Sequence, residues 1–225
     1  MKKLNVGCGL NYFDGYVNVD INTKVKADFY FNLEMDTFPF EDDTFDSILC
    51  NHVLEHLGDG YFHCMKEIYR VAKHNADFLI IVPNFTHKHY YDDPTHKRTI
   101  TVNGISLFDK LLNIDNIIHG FSNSTLGLDL DIDFKVINSY QLLDPIYFNK
   151  KNDHIDDIID KYWNVVESIY IHAKVIKDSK MVDVKSLQSQ NPKKISDNNL
   201  KWIEDWAAKN SKAYDEHLAN LKDQH

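Results

Sequence analysis

Leu4-Asn5-Val6-Gly7-Cys8-Gly9 is an apolar run that ends in glycine, and a second strand-like run, Tyr16 to Ile21, follows it closely and carries Asp20. A glycine turn lets the backbone approach a ligand, and an acid at the tip of the neighbouring strand can accept two hydrogen bonds from ribose hydroxyls. The pair reads as a nucleoside pocket.

The spacing narrows the choice of nucleoside. A dinucleotide fingerprint would place its third glycine where Tyr12 stands and would need a helix N-terminus to receive the pyrophosphate. Only Leu10 to Asp14 separate Gly9 from Gly15, too short for an ordinary crossover helix, so that helix must be cut to a turn. S-adenosylmethionine has ribose and adenine but no phosphate, and its binding loses little with the helix dipole. A nicotinamide-dependent oxidoreductase is disfavoured on the same ground. A lone Gly-x-Gly also occurs as a plain strand-to-turn glycine, so the context decides.

That context is Thr37-Phe38-Pro39-Phe40-Glu41-Asp42-Asp43-Thr44-Phe45-Asp46, then a strand to Cys50, then Asn51-His52-Val53-Leu54-Glu55-His56-Leu57. After Arg70-Val71 comes Phe78-Leu79-Ile80-Ile81-Val82-Pro83-Asn84. In this order the motifs resemble the class I S-adenosylmethionine-dependent methyltransferases, in particular the large type 11 group, and the block Cys50 to Leu57 also resembles ubiquinone-type O-methyltransferases. The resemblance covers about Leu4 to Thr101. It implies S-adenosyl-L-methionine as cofactor, with Gly7, Cys8 and Gly9 beneath its methionine portion. It further implies Asp20 on the ribose, Ile21 as an apolar wall for adenine, and Asn32 and Leu33 at the adenine edge. The family more often has Asp-Leu there, so Asn32 keeps an acceptor oxygen without the charge. Asn51 and His52, just past a strand end, are expected to face the donor.

Alternation of strand and helix periodicity predicts an α/β, Rossmann-like fold: a mostly parallel sheet with helices on both faces. Strands are expected at Lys3 to Val6, Tyr16 to Ile21, about Asp28 to Leu33, Phe45 to Cys50 and Phe78 to Pro83. An amphipathic helix is expected at Gly60 to Lys73, with Phe62, Met65, Ile68, Tyr69 and Ala72 on one face, and Asn75 taking a left-handed turn after it. A further helix is expected over about Asn103 to Asn113, burying Leu107, Phe108, Leu111 and Leu112. Phe134 to Tyr140 and Tyr170 to Lys177 alternate like strands, and the resemblance casts them as an antiparallel C-terminal hairpin around an insert with a helix at Ile155 to Trp163. Residues 1–177 then form the methyltransferase domain. Residues 178–225 form a linker and an amphipathic helix capped by Ser196, which either packs on its own domain or makes a homodimer or docking contact.

The 225 residues suffice for a sizeable core, and the net charge of −9 opposes a nucleic-acid acceptor. No apolar run is long enough to span a bilayer and Met1 opens no charged-apolar-small leader, so a cytoplasmic protein is expected. Cys8, Cys50 and Cys64 have no Cys-x-x-Cys spacing and read as reduced core residues.

Catalytic candidates gather after the fifth strand, in His87-Lys88-His89-Tyr90-Tyr91-Asp92-Asp93-Pro94-Thr95-His96-Lys97-Arg98. The resemblance extends to this Asp-Pro-x-His block in members acting on sugars and other small polar acceptors. His96 is expected as base or acceptor-orienting group with Asp93 fixing its tautomer, and His52 nearby. The loop could instead be a solvated lid. A metal set of His52, Glu55 and His56 is weighed and set aside for want of further ligands, so no metal is expected. Glu55 is read as a helix cap and Asp46 as structural. The expected acceptor is a small molecule, a sugar or nucleotide-sugar hydroxyl or amine. The alternative is a non-catalytic module that binds a partner protein through the C-terminal helix.

Overall fold

Strand β1 (Lys3–Val6) lies inside a seven-stranded sheet in the computed structural model, which describes residues 1–121, 123–147 and 155–177. Its parallel neighbours are β2 (Val17–Asp20) and β4 (Phe45–Asn51). A two-residue β3 (Phe29–Tyr30) closes one edge beside β2, and β5 (Ala72–Pro83) lies parallel to β4. The other edge is an antiparallel hairpin, β6 (Phe134–Leu143) and β7 (Val166–Val175), with β7 against β5. The order β3-β2-β1-β4-β5-β7-β6 is the expected Rossmann-like sheet with its C-terminal hairpin.

The missing first helix has a structural substitute. A crossover without a helix leaves backbone groups needing partners, and the buried Asn5 and Asn18 supply them. Asn5 Nδ2 donates to the Asn11 carbonyl at 2.8 Å and to Asn18 Oδ1 at 2.9 Å. Asn18 Nδ2 donates to the carbonyls of Phe13 and Tyr16, each at 3.0 Å, and its Oδ1 accepts the Phe13 amide at 3.0 Å.

Helix α1 (Tyr61–Val71) packs with Cys64, Met65, Ile68 and Val71 in the core. Tyr61 occupies the buried place expected of Phe62, which is 39% exposed, and Ala72 already begins β5. Asn75 adopts φ +61°, the left-handed turn expected there, and β5 rejoins β4 at Asp77 opposite Ser47. Asp46 ties the strand base by accepting from Lys73 Nζ at 2.8 Å and the Lys2 amide at 2.6 Å. Beyond β5 runs a short α2 (Lys88–Asp92).

The helix expected at 103–113 is two helices, α3 (Val102–Ser106) and α4 (Lys110–His119). Asp109 is the reason: its Oδ1 accepts the amides of Leu111 and Leu112 at 2.9 and 3.1 Å, an N-cap that starts a new axis. The new axis turns Leu111 out to 65% exposure and leaves Leu112 exposed, while Ile105 and Phe108 stay buried. Two small helices, α5 (Leu126–Leu130) and α6 (Ile155–Lys161), complete the α-helices of the described residues. Cys8, Cys50 and Cys64 are buried free thiols, and burial pushes the Cys50 and Cys64 thiols up. Among the described residues no helix is long and apolar enough to cross a membrane. The expected linker and Ser196 helix, with any dimer contact through it, lie outside the described residues.

Candidate cofactor and acceptor site

The carboxyl ends of β1, β2 and β4 open onto a cavity of about 280 Å³ lined by Gly7, Asp20, Ile21, Asn32, Leu33, Glu34, His52, Val53, His56 and Leu57. Ligand crevices in open α/β sheets form at such strand ends. Six of the expected site residues line it: Gly7, Asp20, Ile21, Asn32, Leu33 and His52. Cys8, Gly9 and Asn51 stand beside the lining, Cys8 being buried with its thiol near the Lys26 and Gly9 carbonyls.

Gly7 takes φ +62°, and a Cβ there would lie 2.7 Å from Val53 Cγ2. Glycine is required at that point by both backbone and space. Gly9 takes φ +52°, but a Cβ on it would meet nothing within 4 Å, so its face is open to a ligand. Asp20 spans the turn. Its Oδ2 accepts the Gly9 amide at 2.7 Å and its Oδ1 accepts the Asn22 amide at 2.8 Å. Each oxygen keeps a further lone pair for a hydroxyl donor.

At the other wall, Asn32 Oδ1 already accepts the Glu34 amide at 2.9 Å, so the turn competes for the oxygen expected at the adenine edge. Glu34 was not legible as a lining residue. It accepts the Gly60 amide at 3.1 Å and faces Lys97 Nζ at 3.4 Å. Partial burial pushes its carboxyl up, but the Gly58 and Gly60 amides and the Lys97 ammonium outweigh this and hold it below the usual glutamate value.

The wall beyond the end of β4 departs most from expectation. Glu55 does not cap a helix; it sits inside a single 3-10 turn, Leu54–His56, with no exposed surface. His52, at φ +55°, turns the chain out of β4 into this turn, and its Nδ1 lies 3.2 Å from Glu55 Oε1. The Asp93 carboxylate is spent on Thr95 rather than on the His96 ring, and the two residues meet through the backbone, the His96 amide donating to the Asp93 carbonyl at 3.2 Å. Asp93 Oδ1 accepts the Thr95 amide at 2.8 Å and the Thr95 hydroxyl at 2.6 Å, which hold the carboxyl below the usual aspartate value.

The tautomers follow from the partners. A carbonyl only accepts, so His96 Nδ1, 2.6 Å from the Tyr90 carbonyl, carries the proton. Thr95 has spent its one hydrogen on Asp93, so it accepts from His56 Nδ1 at 2.8 Å. In the neutral form of either ring the lone pair is then on Nε2. The rings are 4.7 Å apart, His56 in the cavity wall and His96 behind it.

The 85–101 segment is pinned rather than free. The amides of Lys97 and Arg98 donate to the Glu55 carbonyl at 2.8 and 3.2 Å, and Arg98 Nε and Nη2 donate to the carbonyls of Leu57 and Gly58 at 2.8 and 2.6 Å.

Residues 4–80 match the family model described as a methyltransferase domain. A protein of Methanocaldococcus jannaschii described as uncharacterized is 29% identical over 180 residues, 73% of this chain and 68% of its own length. Among solved structures, the chain is similar to a SAM dependent methyltransferase from Archaeoglobus fulgidus at 18% identity and a TM-score of 0.49, covering 77% of this chain and 85% of that one. A SAM-dependent methyltransferase from Methanosarcina mazei gives 15% identity and a TM-score of 0.47, covering 79% and 93%. The matched segment, 4–80, contains every residue that lines the cavity, and a methyltransferase domain of that kind implies S-adenosylmethionine as cofactor.

Proposed function

We propose that the protein transfers the methyl group of S-adenosylmethionine to a hydroxyl or amine of a small polar acceptor, a sugar or nucleotide-sugar being the best fit. The observation that carries this reading is one crevice with two unlike walls: the Gly7–Asp20 turn on one side, and His52 and His56 backed by His96 on the other.

The residues fit the cofactor. The open face of Gly9 leaves room for the methionine portion, and Asp20 keeps two lone pairs for a ribose diol. Ile21, exposed at the cavity edge, offers an apolar surface for adenine with Leu33 beside it. When bound, the cofactor supplies a methyl carbon on a positively charged sulfur, a leaving group that needs no acid.

The chain's own task is then to align the acceptor and manage its proton. His56 and His96 each hold a lone pair at Nε2, fixed by Thr95 and by the Tyr90 carbonyl, and either can receive a hydrogen bond from an incoming hydroxyl. Asp93 acts through Thr95 on His56, a positioning role for the acid first assigned to His96. The formal charge of −9 weighs against a polyanionic acceptor.

The test is calorimetric titration with S-adenosylhomocysteine, followed by a screen for its release from S-adenosylmethionine with monosaccharide, nucleotide-sugar and nucleic-acid acceptors. Donor binding with turnover on a sugar carries the reading. Absence of donor binding overturns it, and turnover on nucleic acid alone overturns the acceptor class.

A further inference from the structure

Glu55 Oε2 is a buried carboxylate oxygen with no hydrogen-bond partner among the described residues. Such an atom is destabilising unless something satisfies it. Its surroundings are unusual in kind. One donor atom each from Glu55, His56 and His96 lie within 4.8 Å of one another. In the neutral rings the nitrogen left free is Nε2, since both Nδ1 atoms are spent on Thr95 and the Tyr90 carbonyl. With both rings neutral, each of the three clustered residues has an electron pair to give to one cation. A proton could bridge two of the three, whereas a metal cation satisfies all three.

We propose that Glu55, His56 and His96 bind a divalent transition-metal ion in the acceptor-side wall of the crevice. The donor set of two imidazoles and one carboxylate suits zinc, cobalt, manganese or iron, and disfavours magnesium, which takes oxygen ligands. Each ligand has the outer support that metal sites use: the chain Asp93–Thr95 on His56 Nδ1, the Tyr90 carbonyl on His96 Nδ1, and His52 Nδ1 on the other oxygen of Glu55. The set differs from the His52, Glu55 and His56 combination suggested by sequence, because His96 arrives from 40 positions beyond His56 on a segment pinned to the Glu55 carbonyl. Binding must draw the donors together by side-chain rotation until each reaches a metal–nitrogen or metal–oxygen distance of about 2.0–2.2 Å.

Three protein ligands leave coordination positions open, and His56 lies in the cavity wall. An acceptor oxygen bound there would meet the ion in place of a hydrogen bond to His56 or His96 Nε2, and would be oriented and made more acidic, as metal-bound water is. What the ion does rests on the methyl-transfer reading; whether it binds does not, and the two are separated below by measuring metal and donor independently.

The experiment adds cobalt(II) chloride to chelator-stripped full-length protein and records the visible d–d absorption, with zinc competing it away and magnesium at the same concentration failing to. His96→Gln should abolish the bands while leaving S-adenosylhomocysteine affinity unchanged, which also shows that the variant is folded. Thr95→Val, which cuts His56 from Asp93, should weaken cobalt binding by about 10–100-fold. No bands with the parent protein, or bands of equal strength in both His96→Gln and Glu55→Gln, overturn the site. Donor binding in that same protein would leave the methyltransferase reading standing.

Discussion

Asp20 Oδ2 accepts the backbone amide of Gly9 at 2.7 Å, so the carboxylate proposed to hold a ribose diol also holds the glycine turn in shape. The two duties separate by substitution. Asp20→Asn keeps one carboxamide oxygen for the Gly9 amide but loses the charge; Asp20→Ala loses both. Donor affinity should fall in both variants by about 1.5–3 kcal/mol, the range for hydrogen bonds to a charged group, while Tm falls in both and further in Asp20→Ala, because the carboxamide NH2 of Asp20→Asn faces the Asn22 amide that Oδ1 accepts in the parent. Calorimetry with S-adenosylhomocysteine and thermal melts check this, and unchanged affinity in both variants removes Asp20 from the cofactor site.

The two glycines of the turn should respond differently to alanine. Both sit at positive φ, which costs a non-glycine residue about 1–2 kcal/mol. Only Gly7→Ala adds a clash, its new Cβ at 2.7 Å from Val53 Cγ2, and Val53 shares the cavity wall. Gly7→Ala is therefore the more destabilising, with the clash portion relieved in Gly7→Ala/Val53→Ala. Gly9→Ala should harm donor affinity more than stability, because it fills open space. Denaturant unfolding of the three variants checks the order.

Much of this frame is legible in the chain. Apolar runs with short spacings announce β1, β2, β4 and β5, and alternation from Phe134 announces the hairpin. What escaped has two sources, a local cap that competes with periodicity and contacts between atoms distant in sequence. Asp109 splits a helix that periodicity alone reads as continuous, because an N-cap outweighs an apolar stripe. Glu55 looks like a cap beside His56, and only the return of residues 97 and 98 onto its carbonyl shows it to be enclosed. Val53, Leu57 and Glu34 carry no signal of their own as wall residues, since nothing local distinguishes a cavity wall from a core.

Glu67 should govern part of the acid response. Its Oε2 accepts the Phe38 amide and Arg70 Nη2, each at 2.7 Å, and its Oε1 accepts Arg70 Nε at 2.9 Å. Burial pushes this carboxyl up, but Arg70 and the Phe38 amide together hold it below the ordinary glutamate value of 4.5. A depressed folded pKa stabilises the protein fully above the unfolded value and loses that contribution as pH falls through the folded one. Glu67→Gln should cost about 1.5–3 kcal/mol at neutral pH, and the gap to the parent should narrow as pH drops below 4.5. Urea melts across pH give the result; a gap independent of pH would deny the ionised pair its role.

His96 lies behind His56 rather than in the cavity lining, so removing it should spare the donor. His96→Ala is expected to lower turnover at least tenfold, within the range of about 10²–10⁴ for positioned proton-transfer groups or somewhat below it. S-adenosylhomocysteine affinity should change little. Equal turnover in variant and parent would assign the ring to the structure of the segment alone.

Arg98 fastens that segment, and its geometry predicts which replacement can substitute for it. The guanidinium spans two carbonyls, Leu57 and Gly58, through Nε and Nη2, and lies 4.2 Å from the centre of the Tyr61 ring. A lysine has one ammonium and no planar fork, so it can reach one carbonyl but cannot reproduce both bonds and the stacking together. Arg98→Ala should destabilise the protein by about 1.5–3 kcal/mol, and Arg98→Lys should recover only part. Because Lys97 and Arg98 amides end on the Glu55 carbonyl, loosening the segment must also loosen them. Hydrogen exchange at these two amides should quicken in both variants, more in alanine than in lysine, whereas full recovery by lysine would mean that charge alone, not the forked contact, holds the wall in place.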